Sequence, residues 1–214
     1  MGPFRSSRQI WLYRSVQNVH PLRAVPRTLA FDRDAALDRA LDVFWLRGYQ
    51  ATSINELLAA MAIGRGSLYA TFGGKPQVFL AVLERYRERW AALIARHARA
   101  PGPARTVLIE LLRAMGKEIT SDRLGRGCLI ANSAVELRHL DADAQQLVRQ
   151  SLERLEATFT MLTTRAAAEG DLRQEPIALA RFLIAAQNGI RDVAKAGGDR
   201  ARIHELVESL LAIL

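Results

Sequence analysis

Between Arg65 and Thr71 the chain places four side-chain hydrogen-bond donors, Arg65, Ser67, Tyr69 and Thr71, around two residues with little or no side chain, Gly66 and Ala70. Donors at that density suit non-covalent contact with phosphates and base edges rather than bond-making chemistry. Catalytic groupings are missing elsewhere. His20, His97, His139, His204 and Cys128 are scattered, with no pair at metal-ligand spacing. No Ser/His/Asp set, glycine-rich phosphate loop or helix with paired histidines occurs. Neither an enzyme nor a bound metal or cofactor is expected.

The elements that must position those donors follow from capping and apolar spacing. Asp32 or Asp34 can cap a helix on which Ala36, Leu37, Ala40, Leu41, Phe44 and Trp45 recur at helical spacing, ended by Gly48. Thr52 and Ser53 offer the next cap, with Glu56 at the reciprocal capping-box position for Ser53 and Ile54, Leu57, Leu58 and Met61 forming one stripe. After a turn at Ala62-Ile63-Gly64 a third short helix runs to Phe72, where Gly73-Gly74 closes it. Leu68 and Phe72 form its apolar side; Arg65, Gly66, Tyr69 and Ala70 lie opposite, and Ser67 and Thr71 flank them. Lys75-Pro76 then opens a longer helix that lasts until Pro101-Gly102-Pro103. Two short helices joined by a three- to four-residue turn, behind a supporting helix, make a helix-turn-helix unit. Its second helix must be bare on one face to enter a major groove about 12 Å wide, and Gly66 and Ala70 keep it so.

From Ala104 the chain reads as helical, with breaks at Gly125-Arg126-Gly127, near Leu140, at Gly170-Asp171 and at Gly197-Gly198. Asp141 or Asp143 caps a long helix through Ala168; Glu175-Pro176 starts another, and the last runs from about Asp199 to Leu214. Strand signals are absent, so the fold class is all-α. Three segments are expected: a disordered basic arm over 1–29, a helix-turn-helix DNA-binding domain over 30–78, and a helical domain over 79–214.

Charge divides the chain the same way. Residues 1–99 hold 15 Lys/Arg against 7 Asp/Glu, whereas residues 100–214 hold 15 of each, so the whole net charge of +8 sits in the first half. A polyanion partner for that half is expected. The arm contributes Arg5, Arg8, Arg14, Arg23 and Arg27 without an acid, which suits non-specific phosphate contact. One cysteine excludes an internal disulfide framework and fits a reducing compartment, and apolar runs stop well short of the ~18 residues a membrane span requires. A cytoplasmic location without membrane contact is expected.

The run Gly48-Tyr49-Gln50-Ala51-Thr52-Ser53-Ile54, leading through Leu57 to Gly66-Ser67-Leu68-Tyr69-Ala70-Thr71-Phe72-Gly73-Gly74-Lys75, resembles the TetR/AcrR family of bacterial transcription regulators. The resemblance covers residues 30 to about 85. It implies that Thr52, Tyr69 and Lys75 hold phosphates, Lys75 with a helix N-terminus beside it. It places Arg65, Gly66, Ser67, Ala70 and Thr71 at the groove. Two departures stand out: Ala62 occupies a turn position often held by glycine, and Gly64 replaces a frequent Ser/Thr cap. A left-handed Ala62 or a turn shifted by one residue would satisfy the chain.

The resemblance further implies a homodimer through the last two helices, with Ala185 and Gly189 allowing close approach, since two recognition helices must reach half-sites about 34–36 Å apart. It also implies an effector cavity in the second half, for which Trp90, Met115, Cys128, Asn132, Phe159, Met161, Phe182 and Gln187 are candidates. Asn132 interrupts the apolar stretch Cys128–Ala131 and needs a polar partner. Cys128 is either a small buried apolar residue or, with Arg126 nearby, a redox sensor. The expected function is a repressor that binds a palindromic double-stranded operator as a dimer and is released by a small, largely apolar effector. The alternative is an architectural or activating DNA binder without a small ligand.

Overall fold

Among the described residues five α-helices start on a side-chain cap, and the others start at Gly64, Gly74, Pro103 and Cys128 without one. The computed structural model describes residues 31–214; the basic arm expected at 1–29 lies outside the described residues. Asp32 caps α1 (Arg33–Arg47), its carboxylate accepting from the amides of Asp34 and Ala35. Ser53 and Glu56 complete a capping box on α2 (Ile54–Met61). A turn then leads to α3 (Arg65–Phe72), and Gly73 and Gly74, both at positive φ, turn the chain into α4 (Lys75–Ala98). The turn is not shifted: Ala62 itself adopts the left-handed conformation, φ 56°.

Beyond the Pro101–Pro103 break come α5 (Ala104–Ser121), a loop, the seven-residue α6 (Leu129–Val135) and a 3-10 turn (Leu137–His139). Then follow α7 (Ala142–Ala168), α8 (Pro176–Lys195) and α9 (Arg200–Leu211), capped by Asp141, Glu175 and Asp199. No strand occurs among the described residues.

Two apolar cores result. The first joins α1–α4 to α6 and the start of α7: Phe44, Leu57, Met61, Leu68, Phe79 and Leu83 are fully enclosed with Leu129 and Val148. The Phe79 ring lies 4.9 Å from both Phe44 and Tyr49, so the first turns of α4 close the helix-turn-helix. The second core unites α5, the end of α7, α8 and α9 around Leu108, Leu111, Phe159, Leu162 and Leu183. Trp90, midway along α4, packs against both. The boundary expected between residues 78 and 79 therefore falls inside one continuous helix.

The second core uses up the apolar side of α9. Ile203, Val207, Leu210 and Leu211 are buried, and a methyl group added at Gly116 of α5 would stand 3.0 Å from the Val207 methyls. Its solvent side carries His204, Glu205, Glu208 and Ser209. Exposed apolar and small residues sit instead on Met161 and Ala157 of α7 and on Ile177, Ala178, Phe182, Ala185 and Gly189 of α8. These helices run antiparallel, tied by Arg181 to Glu156 (2.7 Å) and by the Thr163 hydroxyl to the Pro176 carbonyl (2.8 Å). Of the last two helices, which are expected to form the dimer, α8 exposes the larger apolar residues, while α9 exposes Ala201 and the turn after it exposes Ala212 and Ile213.

Candidate functional site

The exposed side of α3 holds Arg65, Gly66, Tyr69 and Ala70; Ser67 and Thr71 are half-buried beside them, and Leu68 and Phe72 are turned into the core. A Cβ added at Gly66 would meet nothing within 4 Å, so this face is flat as well as exposed. Arg65 donates to the Asn55 side chain of α2 at 3.0 Å, which holds its guanidinium over the edge of the two-helix unit. In the sequence Asn55 reads only as a first-turn residue of α2; its spacing from Arg65 across the turn is the one signal for this contact.

Lys75 begins α4, its ammonium 4.4 Å from the Tyr49 ring centroid. Partial burial lowers its pKa, and the carboxylate of Glu136 opposes that shift. Burial likewise raises the Tyr49 phenol, with Asp141 adding to the effect. Thr52, expected to hold a phosphate, does not present its hydroxyl at the surface. Its side chain is fully buried and its hydroxyl donates to the Gly48 carbonyl at 2.7 Å, closing the turn between α1 and α2.

Beyond the shared core and the Arg85–Asp38 ion pair (2.6 Å) between α4 and α1, polar contacts fasten the helix-turn-helix to the loop before α6 and to Glu136. The Trp45 indole donates to the Gly127 carbonyl at 3.0 Å. Arg126 lies over the Trp45 ring at 3.9 Å and bonds both Asp42 of α1 (2.7 Å) and Asp122 (3.1 Å). The Gln50 amide donates to the Glu136 carboxylate at 3.0 Å, and that carboxylate fills the space a side chain at Gly48 would need.

Two cavities border Trp90. One, of about 100 Å³, has walls that include Ala91, Cys128, Ile130, Leu152, Leu155 and Asn188. The other, of about 160 Å³, lies between α4, α5, the loop before α6 and α8, and is lined by residues including Trp45, Ile119, Asp122, Arg126 and Arg191. Of the expected effector contacts, Trp90 and Cys128 are thus brought together. Met115 and Phe159 are enclosed in the second core, and Phe182 and Met161 are half exposed on the outer surface and line neither cavity. Asn132 has its partners elsewhere, donating to the Arg126 carbonyl at 2.8 Å and accepting from Lys195. Gln187 is buried with both amide atoms unpaired, as is the Tyr86 hydroxyl. Burial drives the Tyr86 phenol well above its ordinary pKa, so it is a neutral group. Tyr86 falls at a core spacing on α4; Arg191 is not singled out by the sequence, although it stands on the same α8 face as Leu183, Gln187 and Ile190, where a charge is out of place.

Among the described residues no group of three or more His, Cys, Asp or Glu could hold a metal ion, and no helix is long and apolar enough to cross a membrane. Residues 36–82 match the family model "Bacterial regulatory proteins, tetR family", and residues 102–210 match "Tetracyclin repressor-like, C-terminal domain". The chain is 30% identical over 191 residues to the uncharacterized HTH-type transcriptional regulator YezE of Bacillus subtilis, spanning 88% of this chain and 98% of that one. It is 29% identical to the HTH-type transcriptional repressor ComR of Escherichia coli, spanning 93% and 95%. Among solved structures it is similar to a cysteine mutant of the regulator CifR complexed with 26-bp double-strand operator DNA, with TM-score 0.76, 33% identity and coverage of 87% and 98%.

Proposed function

Because the chain belongs to the TetR family of bacterial regulatory proteins, and so is a DNA-binding transcriptional regulator, we propose that it is a dimeric repressor released from a palindromic operator by a small-molecule effector. The observation that carries the reading is the bare, donor-lined face of α3. Arg65 and Ser67 reach base edges, Gly66 and Ala70 let the helix sit deep, and Thr71 faces the groove wall. Tyr69 and Lys75 hold phosphates on either side, Lys75 adding its charge to the first amides of α4.

The α7 and α8 stripes supply the dimer contact. Small residues there let two copies approach closely, and paired copies would carry the two α3 helices to adjacent half-sites. Effector release works through the fastenings between α1 and the loop before α6. A ligand that prefers one arrangement of those contacts shifts the spacing of the two recognition helices by its differential affinity for the two states, and by no more.

Fluorescence anisotropy with the duplex upstream of the chain's own coding sequence, titrated with salt and compared with a scrambled duplex, tests the reading. One dimer per palindrome, bound at least a thousandfold more tightly than scrambled DNA, is expected. Equal binding to both duplexes would favour an architectural role, and no binding at low salt would overturn the DNA-binding assignment of α3.

A further inference from the structure

Where the two cores meet at Trp90, the packing encloses a cation without a counter-ion. The Arg191 guanidinium stands 4.5 Å from the Trp90 ring centroid, and the residue is 6% exposed. No carboxylate among the described residues is in ion-pair contact with it, and the first 31 residues contain no acid at all. One helical turn away on the same side of α8, Gln187 is 1% exposed with neither amide atom paired. Across from them on α4, the Tyr86 hydroxyl is enclosed without a partner, and its ring lies 6.1 Å from Trp90. Native interiors leave few such groups unsatisfied, and an unpaired buried charge is among the most costly.

Arg191 lines the 160 Å³ cavity, whose remaining charges are matched. Arg126 is held by Asp122 and Asp42, and Arg89 faces Glu118 at 3.8 Å. Three arginines against two acids leave the wall with one uncompensated positive charge. A cavity of that volume accommodates a molecule of about the size of benzene.

We propose that this cavity binds a small organic monocarboxylate, its charge on Arg191 and its ring or short chain against Trp90. The planar guanidinium fork matches a carboxylate in two parallel hydrogen bonds. A dianion would be opposed by Asp122 and Glu118 on the same wall, which selects single charge. Trp45 and Arg126, the fastenings of α1, share the cavity with Arg191 on α8, so the ligand touches both the support of the helix-turn-helix and the helix bearing the proposed dimer face. In that respect the inference rests on the effector-release reading above, whose ligand it makes anionic.

Calorimetric titration of the full chain with acetate, hexanoate, benzoate and phenylacetate, each paired with its uncharged amide, tests the site directly. At least one carboxylate is expected to bind tenfold to a hundredfold more tightly than its amide. Arg191→Gln should reduce that carboxylate to the level of the amide, and Arg191→Lys should retain a preference for charge. No preference in the wild-type chain, or a preference that survives Arg191→Gln, would overturn the proposal. Should Arg191→Gln not fold, the wild-type pairs and the Lys variant decide. Operator release, followed in parallel, separates the two readings. A carboxylate that binds through Arg191 yet leaves operator affinity unchanged upholds the site and overturns release; release by the amides alone upholds release and overturns the anion site.

Discussion

At the scale of single residues, two small side chains set opposing demands. Ala62 carries a left-handed backbone at φ 56°, where a Cβ crowds the following carbonyl at a cost of about 1–2 kcal/mol. Glycine there removes the crowding but has more freedom to lose on folding, about 0.5–1 kcal/mol. Ala62→Gly should therefore raise stability by about 0.5–1 kcal/mol, read as a higher urea midpoint at unchanged slope. Gly66 presents the reverse case. Its backbone is helical and a methyl group would meet nothing, so Gly66→Ala should stabilise the fold by about 0.5–1 kcal/mol. The same methyl stands on the face assigned to the groove, and operator affinity should fall while stability rises. Lys75→Ala separates phosphate from base recognition: affinity should drop alike for operator and scrambled DNA, and the salt slope should shrink by about one for each phosphate left without its lysine.

At the scale of elements, α2 depends on its cap. The Ser53 hydroxyl accepts from the Glu56 amide, and the Glu56 carboxylate accepts from the Ser53 amide at 2.9 Å. These hydrogen bonds hold the Glu56 pKa below its ordinary value, the Ser53 backbone contributing most. A carboxylate depressed in the folded chain stabilises it fully above the unfolded pKa and loses that contribution as pH falls through the folded value. Glu56→Gln should thus be less stable than the wild type near neutral pH, with the gap closing as the solution is acidified through the carboxylate range. Chemical denaturation at a series of pH values checks this.

Capping is local chemistry, so the sequence narrows each cap to neighbours: Asp32 rather than Asp34 caps α1, Ser53 rather than Thr52 caps α2, Asp141 rather than Asp143 caps α7, and Asp199, where the last helix is expected to start, caps α9. The exposed side of α3 was legible for the same reason, a single 3.6-residue period over eight residues. The face presented by α8 was not. Helical spacing identifies residues that share a side, but Phe182 looks as apolar as Leu183, and only the packing of α7 leaves the first outside. Thr52 illustrates a different obstacle, since its hydroxyl turns inward to a carbonyl four residues back, and nothing in its type distinguishes that from an outward contact.

At the scale of the whole molecule, the stripes on α7 and α8 predict the assembly. Phe182 is half exposed, so Phe182→Glu should leave the fold intact and place a charge in the proposed dimer contact. Sedimentation should show monomers, with operator affinity lower by more than a hundredfold; a dimer that persists would remove α8 from the interface. The two tryptophans at the junction have a further consequence. Trp45 lies under a guanidinium and Trp90 under another, and both rings neighbour Tyr86. Indole emission responds to nearby cations and to polarity. With Trp11 changed to Phe, every photon the chain emits in that band would originate where the helix-turn-helix is fastened to its support, so the molecule carries an optical gauge of that junction without any added dye.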